Sequence, residues 1–341
     1  MRIDELGEFA LIARLTAGLP SRADVALGVG DDAALLNLSD FAADALLVVT
    51  CDAQVERQHF TLGVATPEEI GHKALAVNLS DLAAMGAKPL WALVSLLLPR
   101  ALDVATLDGV YVGLRSLAAR YSVALVGGNV SATDGPLAID VTALGRVPRD
   151  QALSRAGGHP GDLILVTGTL GAAAAGVLLQ GGDARLAALP AETRRLARAA
   201  QVSPQPRVAE GRALAASGVV TAMLDVSDGL AADLGHLCSA SDASAELDAD
   251  AMPVDPAASG ISAALGRDAI QLALGGGEDY ELLFTVRPDG LEQALAVVAQ
   301  AGGVARVIGR LTEPGSDLLI RFADGRIEKL VARGWDHLRP Q

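Results

Sequence analysis

The stretch TPEEIGHKALAVNLSDLAAMGAKP, residues 66–89, decides how the chain is read. Thr66 and Glu69 have the Thr-x-x-Glu spacing of a capping box, and Pro67 suits a first helical turn. Gly86 offers a stop and Pro89 forbids resumption, so the stretch predicts one helix over 66–85. Ile70, Ala74 and Val77 recur at helical spacing, and the next step along that stripe is Asp81. A carboxylate on a buried stripe is costly unless it is paired, hydrogen-bonded or bound to a metal. A loop cap or an arginine partner would explain Asp81 by itself; other aspartates converging on it would make it a ligand.

Working outward toward the N-terminus, Leu46–Thr50 reads as a strand ending in Thr50-Cys51-Asp52, with His59 seven residues beyond. Ahead of it lie a tight acidic turn, GVGDDAALL at 28–36, and an amphipathic helix over 5–18. Toward the C-terminus a strand is expected at Leu90–Leu98 and a helix at 104–120 carrying Tyr111. Strand Val123–Val126 runs into Gly127-Gly128-Asn129, where glycines let backbone approach a ligand. A half-buried strand follows at Leu137–Gly145. Residues 146–162 are rich in Pro, Gly and Arg and mark a boundary, giving domains 1–148 and 149–341.

In the second domain, strand Leu163–Thr167 turns through Gly168-Thr169-Leu170-Gly171 into an Ala-rich helix. That turn either holds an anion at the helix N-terminus or simply connects. Residues 181–212 read as helical with a break at Ser203–Pro206. Val219–Asp225 is a strand, and Ser227 can cap a helix with apolar face Leu230, Leu234 and Leu237. Residues 248–262 read as loop. Gly275-Gly276-Gly277-Glu278-Asp279-Tyr280 leads into strand Glu281–Val286. A helix near 289–301, a strand near 304–309 and a segment with Trp335 complete the chain.

The 341 residues suffice for two domains with proper cores. Hydrophobic residues make up 51% and aromatics 3%, so the core is Ala, Leu and Val. A net charge of −14 and a pI near 4.7 argue against nucleic-acid and anionic-membrane partners. They leave room for an anionic ligand, because bound cations invert the local field. The apolar run Trp91–Leu98 is too short to span a bilayer, and MRIDELGEF has no apolar signal region. A cytoplasmic location is expected. Cys51 and Cys238 form no metal or disulfide pattern.

The oxygen-bearing residues at strand ends and turns are Asp31, Thr50, Asp52, Asp81, Asp225 and Asp228. They have no EF-hand spacing, and no His/Cys cluster suits zinc. A carboxylate site with open positions suits Mg²⁺ shared with substrate phosphates. GxxxxGK[ST] and the protein-kinase motifs are absent, so if the chain is an ATP enzyme, aspartate-held magnesium must do the work of a P-loop lysine.

At these residues the chain resembles the thiamine-monophosphate kinase family. The segments are GVGDDAALL, TCDAQVERQHF, GHKALAVNLSDLAAMGAKP, LSRAGGHPGDLILVTGTLG, MLDVSDGLAADL and GGGEDYELLFTV, in that order, and the likeness runs from about residue 5 to GWDHL at 334–338. NLSDLAAMGAKP is shared with the wider superfamily of aminoimidazole ribonucleotide synthetase; GGGEDYELLFTV with GWDHL is particular to the thiamine-phosphate branch. The resemblance implies an α/β (α+β) chain with a two-domain aminoimidazole-ribonucleotide-synthetase-like fold. An N-terminal sheet domain would pair with a second copy into a barrel, making a homodimer with the active site in a cleft near that interface. It implies phosphoryl transfer from ATP to thiamine monophosphate. Asp31, Thr50, Cys51, Asp52, Asp81, Asn129, Asp225 and Asp228 fall on magnesium positions. Tyr111, Gly128, Asn129, Arg155 and Ser227 fall on ATP positions, and His59, Glu278 and Trp335 on positions that hold the thiamine phosphate.

Two departures touch one metal region. Asn129 stands where the family usually has Asp, and Cys51 where threonine is usual; a neutral thiol is a poor Mg²⁺ ligand. Two other readings therefore stay open. One is a superfamily enzyme acting on a purine precursor or another phosphorylated small molecule, favoured by Asn129 and opposed by Glu278-Asp279-Tyr280 and Trp335. The other is a non-catalytic nucleotide- or metal-binding module, opposed by the joint presence of Asp31, Asp52, Asp81, Asp225 and Asp228.

Overall fold

A computed structural model describes residues 2, 8–27, 29, 34–39, 41, 44–315 and 317–330. Asp31 and Trp335 lie outside the described residues. The chain divides into two compact units, Met1–Leu82 with Ala87–Asp150, and Ala83–Gly86 with Gln151–Gln341.

The first unit contains helix α1 (Glu8–Thr16), the short pair β1 (Val25–Leu27) and β2 (Leu35–Leu36), strand β3 (Ala45–Val55), helix α2 (Pro67–Ala84), strand β4 (Lys88–Pro99), helix α3 (Val104–Tyr121), and strands β5 (Ala124–Thr133) and β6 (Ala138–Pro148). The four long strands form one sheet in the order β3-β6-β4-β5, with β4 and β5 parallel and the other pairs antiparallel. Helix α2 starts as its sequence dictates. The Thr66 amide donates to Glu69 Oε2 at 2.8 Å and the Glu69 amide to Thr66 Oγ1 at 3.3 Å. It ends at Gly86, whose φ of +70° lets the Ala87 amide reach back to the Leu82 carbonyl.

Helix α2 is not the one-sided amphipath that the stripe suggests: Lys73 to Ser80 are all buried. It packs on α3 at backbone distance, because a Cβ on Gly71 would lie 1.8 Å from the Val110 carbonyl oxygen and one on Gly113 1.9 Å from that of Glu68. Two expected strand ends are strand interiors. β3 runs on through Thr50, Cys51 and Asp52 to Val55, and β5 runs through Gly127, Gly128 and Asn129 to Thr133. Pairing with β6 and β4 along their whole length carries both past the polar residues that read as terminators.

The second unit is built on a seven-stranded sheet. Its strands are β7 (Leu163–Thr167), β8 (Val220–Asp225), β9 (Ser244–Asp248), β10 (Leu282–Val286), β11 (Ala305–Thr312), β12 (Leu319–Arg321) and β13 (Ile327–Lys329), in the order β13-β12-β9-β11-β7-β10-β8. All pairs are antiparallel except β12 with β9. The helices are α4 (Ala172–Gln180), α5 (Ala184–Ala187), α6 (Ala191–Val202), α7 (Val208–Ser217), α8 (Leu230–Ala240), α9 (Pro256–Leu265), α10 (Ala269–Gly275) and α11 (Leu291–Gln300). The core joins Ile164, Val166, Leu224, Leu283 and Ile308 of the sheet to Leu230, Leu234 and Leu237 of α8. The reading of 248–262 as loop is corrected by α9. Asp255 caps it through the Ala257 amide at 2.7 Å, and Pro256 occupies its first turn.

Candidate functional site

In the first unit, the site residues divide by strand alternation. Thr50 and Asp52 lie on the side of β3 that meets helix α2. The Thr50 hydroxyl donates to Asp81 Oδ2 at 2.5 Å, and the Asp52 amide donates to Asn78 Oδ1 at 3.1 Å. Asn78 is fully buried and also donates to the Ala74 carbonyl, so one side chain ties the strand to the helix beside Asp81. This residue escaped the sequence reading. Its signal was there, an amide three residues before Asp81 and so on the same side of the helix.

Cys51 faces the other way. Its thiol donates to Asp140 Oδ1 at 3.1 Å and accepts from Thr142 Oγ1 at 3.4 Å. Asn129 aligns in register with Ser95, Ser95 with Asp140, and Asp140 with Ala53, the row next to Cys51 on that same side. Its amide donates to Ser131 Oγ. The structure thus gathers Thr50, Asp52 and Asp81, and leaves the Cys51 thiol and Asn129 on the opposite side of the sheet.

Gly128 has a packing reason to be glycine, since a Cβ there would lie 1.8 Å from the Val94 carbonyl oxygen. Tyr111 is buried in α3, and burial pushes its hydroxyl up to about 12. His59 closes the turn after β3. Its Nδ1 accepts the Val55 amide at 3.0 Å, and its carbonyl accepts from the buried Lys73 Nζ at 3.2 Å. With Nδ1 used as an acceptor, the proton of the neutral ring sits on Nε2.

In the second unit, three segments meet at one end of the sheet. Residues 168–171 follow β7, residues 226–229 follow β8, and residues 276–281 precede β10, whose Leu282 pairs with Asp225. The last two are zipped together. Ser227 and Val226 carbonyls accept from the Glu278 and Tyr280 amides at 2.8 Å each, and the Val226 amide donates to the Glu281 carbonyl at 2.8 Å. Glu278 and Tyr280 hold φ values of +69° and +51°, which L-residues adopt at a cost and which functional loops favour.

Ser227 does not cap α8; Gly229 is the residue before the helix, and the loop amides go to Asp233 instead. Burial and the nearby Asp228 push the Asp233 carboxyl up to about 7, against the pull of its three amide donors. The amides at the turn 168–171 are met from within the protein, by a buried carboxyl group. Asp279 accepts from the Gly171 amide at 2.7 Å and the Ala173 amide at 3.3 Å at the start of α4. Burial raises this carboxyl to about 8, outweighing both amides. Arg155 is exposed on the segment beside β8, where the Ser154 carbonyl accepts the Met223 amide.

Behind this end of the sheet, Glu281 is buried against Arg207, with Nε to Oε2 at 2.7 Å and Nη2 to Oε1 at 2.5 Å, and accepts the Thr167 hydroxyl at 2.6 Å. Asp225 is buried and Asp228 half-buried. The donors in both units are oxygens, which suits a hard cation. Among the described residues no three His, Cys, Asp or Glu side chains gather closely enough to hold an ion by themselves. Oxygen donors of this kind are those Mg²⁺ takes, alongside waters and phosphate oxygens.

Comparison with known proteins gives the family. Residues 30–147 match the AIR synthase related protein N-terminal domain, and residues 159–320 match its C-terminal domain. A thiamine-monophosphate kinase of Escherichia coli O157:H7 is 40% identical over 334 residues, covering 97% of this chain and 98% of that one. Its counterpart in Bacillus subtilis is 34% identical over 98% of this chain and all of its own. The crystal structure of thiamine-monophosphate kinase from Stenotrophomonas maltophilia superposes with a TM-score of 0.80 at 40% identity, over 94% of this chain and 98% of that one. A structure described as AaThiL complexed with AMPPCP and TMP superposes with a TM-score of 0.76 at 31% identity, over 99% of both chains. With two AIR-synthase-type domains and full-length likeness at this identity, the chain belongs to the thiamine-monophosphate kinase family.

Proposed function

We propose that this protein transfers the terminal phosphoryl group of ATP to thiamine monophosphate, giving thiamine diphosphate and ADP. The observation that carries the reading is the locked pairing of the Asp-Val-Ser-Asp-Gly loop with the Gly-Gly-Gly-Glu-Asp-Tyr segment, in a chain alike over its whole length to enzymes of that name.

The chemistry suits the residues. The attacking group is a phosphate oxygen, already ionised at neutral pH because the second pKa of a phosphate monoester is about 6. No general base is required. The obstacle is repulsion between two polyanions, and Mg²⁺, when bound, neutralises that charge and aligns in-line attack. Within the first unit Thr50, Asp52 and Asp81, and within the second Asp225 and Asp228, are the residues that would hold Mg²⁺ ions, with Asp31 and Asn129 included by resemblance. The Cys51 thiol, engaged with Asp140 and Thr142, is the weakest member of the expected set. Ser227 and Arg155 would meet the nucleotide, with Tyr111 and Gly128 assigned there by resemblance alone. His59 would donate from Nε2 to a phosphate oxygen, and Glu278 and Trp335 would bind the rest of the thiamine phosphate.

The same reading makes the protein a cytoplasmic homodimer. Its support is the sheet side that carries Leu47, Val49 and Leu97, which are 47%, 56% and 45% exposed and would gain by being covered. Among the described residues no helix is long and apolar enough to cross a membrane. The test is incubation with ATP-Mg and thiamine monophosphate, following thiamine diphosphate by chromatography. Its appearance at a rate that scales with enzyme is expected. ATP turnover without thiamine diphosphate would hand the site to another phosphorylated acceptor.

A further inference from the structure

We infer that Asp233 is a positioning residue that fixes Asp228 and Ser227 for the reaction without touching substrate. This rests on the kinase reading above. Asp233 is 2% exposed and lies one turn inside α8. Its Oδ2 accepts from the amides of Ser227, Asp228 and Gly229, each at 3.1 Å. Three successive amides on one anion make a nest that fixes the backbone of all three residues. The other side of the loop is held as firmly. The Val226 and Ser227 carbonyls take the Tyr280 and Glu278 amides, and a Cβ on Gly277 would lie 2.6 Å from the Ser227 carbonyl oxygen.

The loop's backbone polar groups are therefore spent inward, and the side chains of Ser227 and Asp228 are left half-exposed, able to work. The Asp233 side chain adds nothing to this surface and yet sets where both stand. A carboxylate reaching back to amides ahead of a helix is also a helix-start device. That role alone predicts lost stability and nothing else. Positioning predicts lost metal affinity in protein that is still folded, because groups supporting a ligand typically change affinity by about 10–100-fold.

The experiment titrates the full-length protein with Mn²⁺ in the presence of a non-hydrolysable ATP analogue, reading free Mn²⁺ by electron paramagnetic resonance. It compares the unaltered protein with Asp233→Ala and Asp233→Asn after circular dichroism shows them folded. Asp233→Ala should raise the half-saturating Mn²⁺ by about tenfold or more and lower kcat, with KM for thiamine monophosphate held within about threefold. Asp233→Asn keeps one carbonyl acceptor and should recover most of both. Unchanged Mn²⁺ affinity in a folded Asp233→Ala protein overturns the inference, whatever its melting temperature. If that variant does not fold, Asp233→Glu carries the test. It keeps the charge and moves it by one methylene, so a like rise in half-saturating Mn²⁺ supports positioning and an unaltered value overturns it. A protein whose Mn²⁺ affinity responds as expected but which makes no thiamine diphosphate loses its substrate assignment and keeps this one. Equal affinities in a protein that does make thiamine diphosphate remove this one alone.

Discussion

Replacing Arg207 by Met takes the guanidinium from two buried carboxylates, Glu281 behind the candidate site and Glu210, whose Oε1 lies 3.7 Å from Arg207 Nη1. Glu281 is 5% exposed and takes two guanidinium N–H groups and one hydroxyl. After Arg207→Met the carboxylate stays inside with only the Thr167 hydroxyl. Removing one partner of a buried pair costs about 3–5 kcal/mol, because the remaining charge is uncompensated. The Arg207 side chain is 30% exposed, so water can enter where it stood, and the lower end, about 3 kcal/mol, is expected. For a unit of this size about 2–4 °C accompanies each kcal/mol, which gives a fall in melting temperature of about 6–12 °C. The assay is urea unfolding together with calorimetry, on Arg207→Met, on Glu281→Met and on the double variant. The double variant, compared in a Glu210→Gln background so that Glu210 is not left as a charge facing an apolar side chain, replaces charge by apolar volume and should lie within about 1 kcal/mol of Glu210→Gln alone. A single Arg207→Met cost below about 1 kcal/mol, or a double variant as unstable as the two singles summed, would refute the argument that the unpaired carboxylate is what destabilises.

Other consequences follow for the carboxylates. Asp81→Asn should cost kinase turnover about a hundredfold or more while melting near the unaltered temperature, since metal-borne charge stabilisation is worth several kcal/mol; unchanged turnover would remove Asp81 from the site. Asn129→Asp should lower the Mg²⁺ concentration that gives half-maximal rate, and an unmoved Mg²⁺ curve would mean that residue 129 is no ligand. Asp279 has a folded pKa near 8 against an ordinary 3.8, so the stability it adds is full below about pH 4 and lost as pH rises through about 8. Melting temperature against pH for Asp279→Asn should lack that decline, and parallel curves would show that Asp279 is ionised throughout.

Much of the site was legible because it is local. A capping box needs only Thr66 and Glu69, and a stop needs only Gly86, so helix α2 follows from about five turns of sequence. The motif order that points to the family is likewise a property of the string. Helix α9 has its start signal in Asp255-Pro256, but an interior mostly of Ala, Ser and Gly carries little apolar periodicity.

What only the tertiary structure decided is which polar groups answer one another across long separations. Whether the Gly168–Gly171 turn awaits an outside anion depends on Asp279, which reaches the Gly171 amide from 108 residues away only because β10 pairs with β7. Whether Cys51 accompanies Thr50 and Asp52 depends on the side of β3 that meets α2, and period-two alternation sends adjacent residues apart. Sequence determined the set of residues and their short-range hydrogen bonds. Sheet register and burial decided which carboxylates serve the backbone and which do not, because a buried amide must find an acceptor and takes the one the sheet brings nearest.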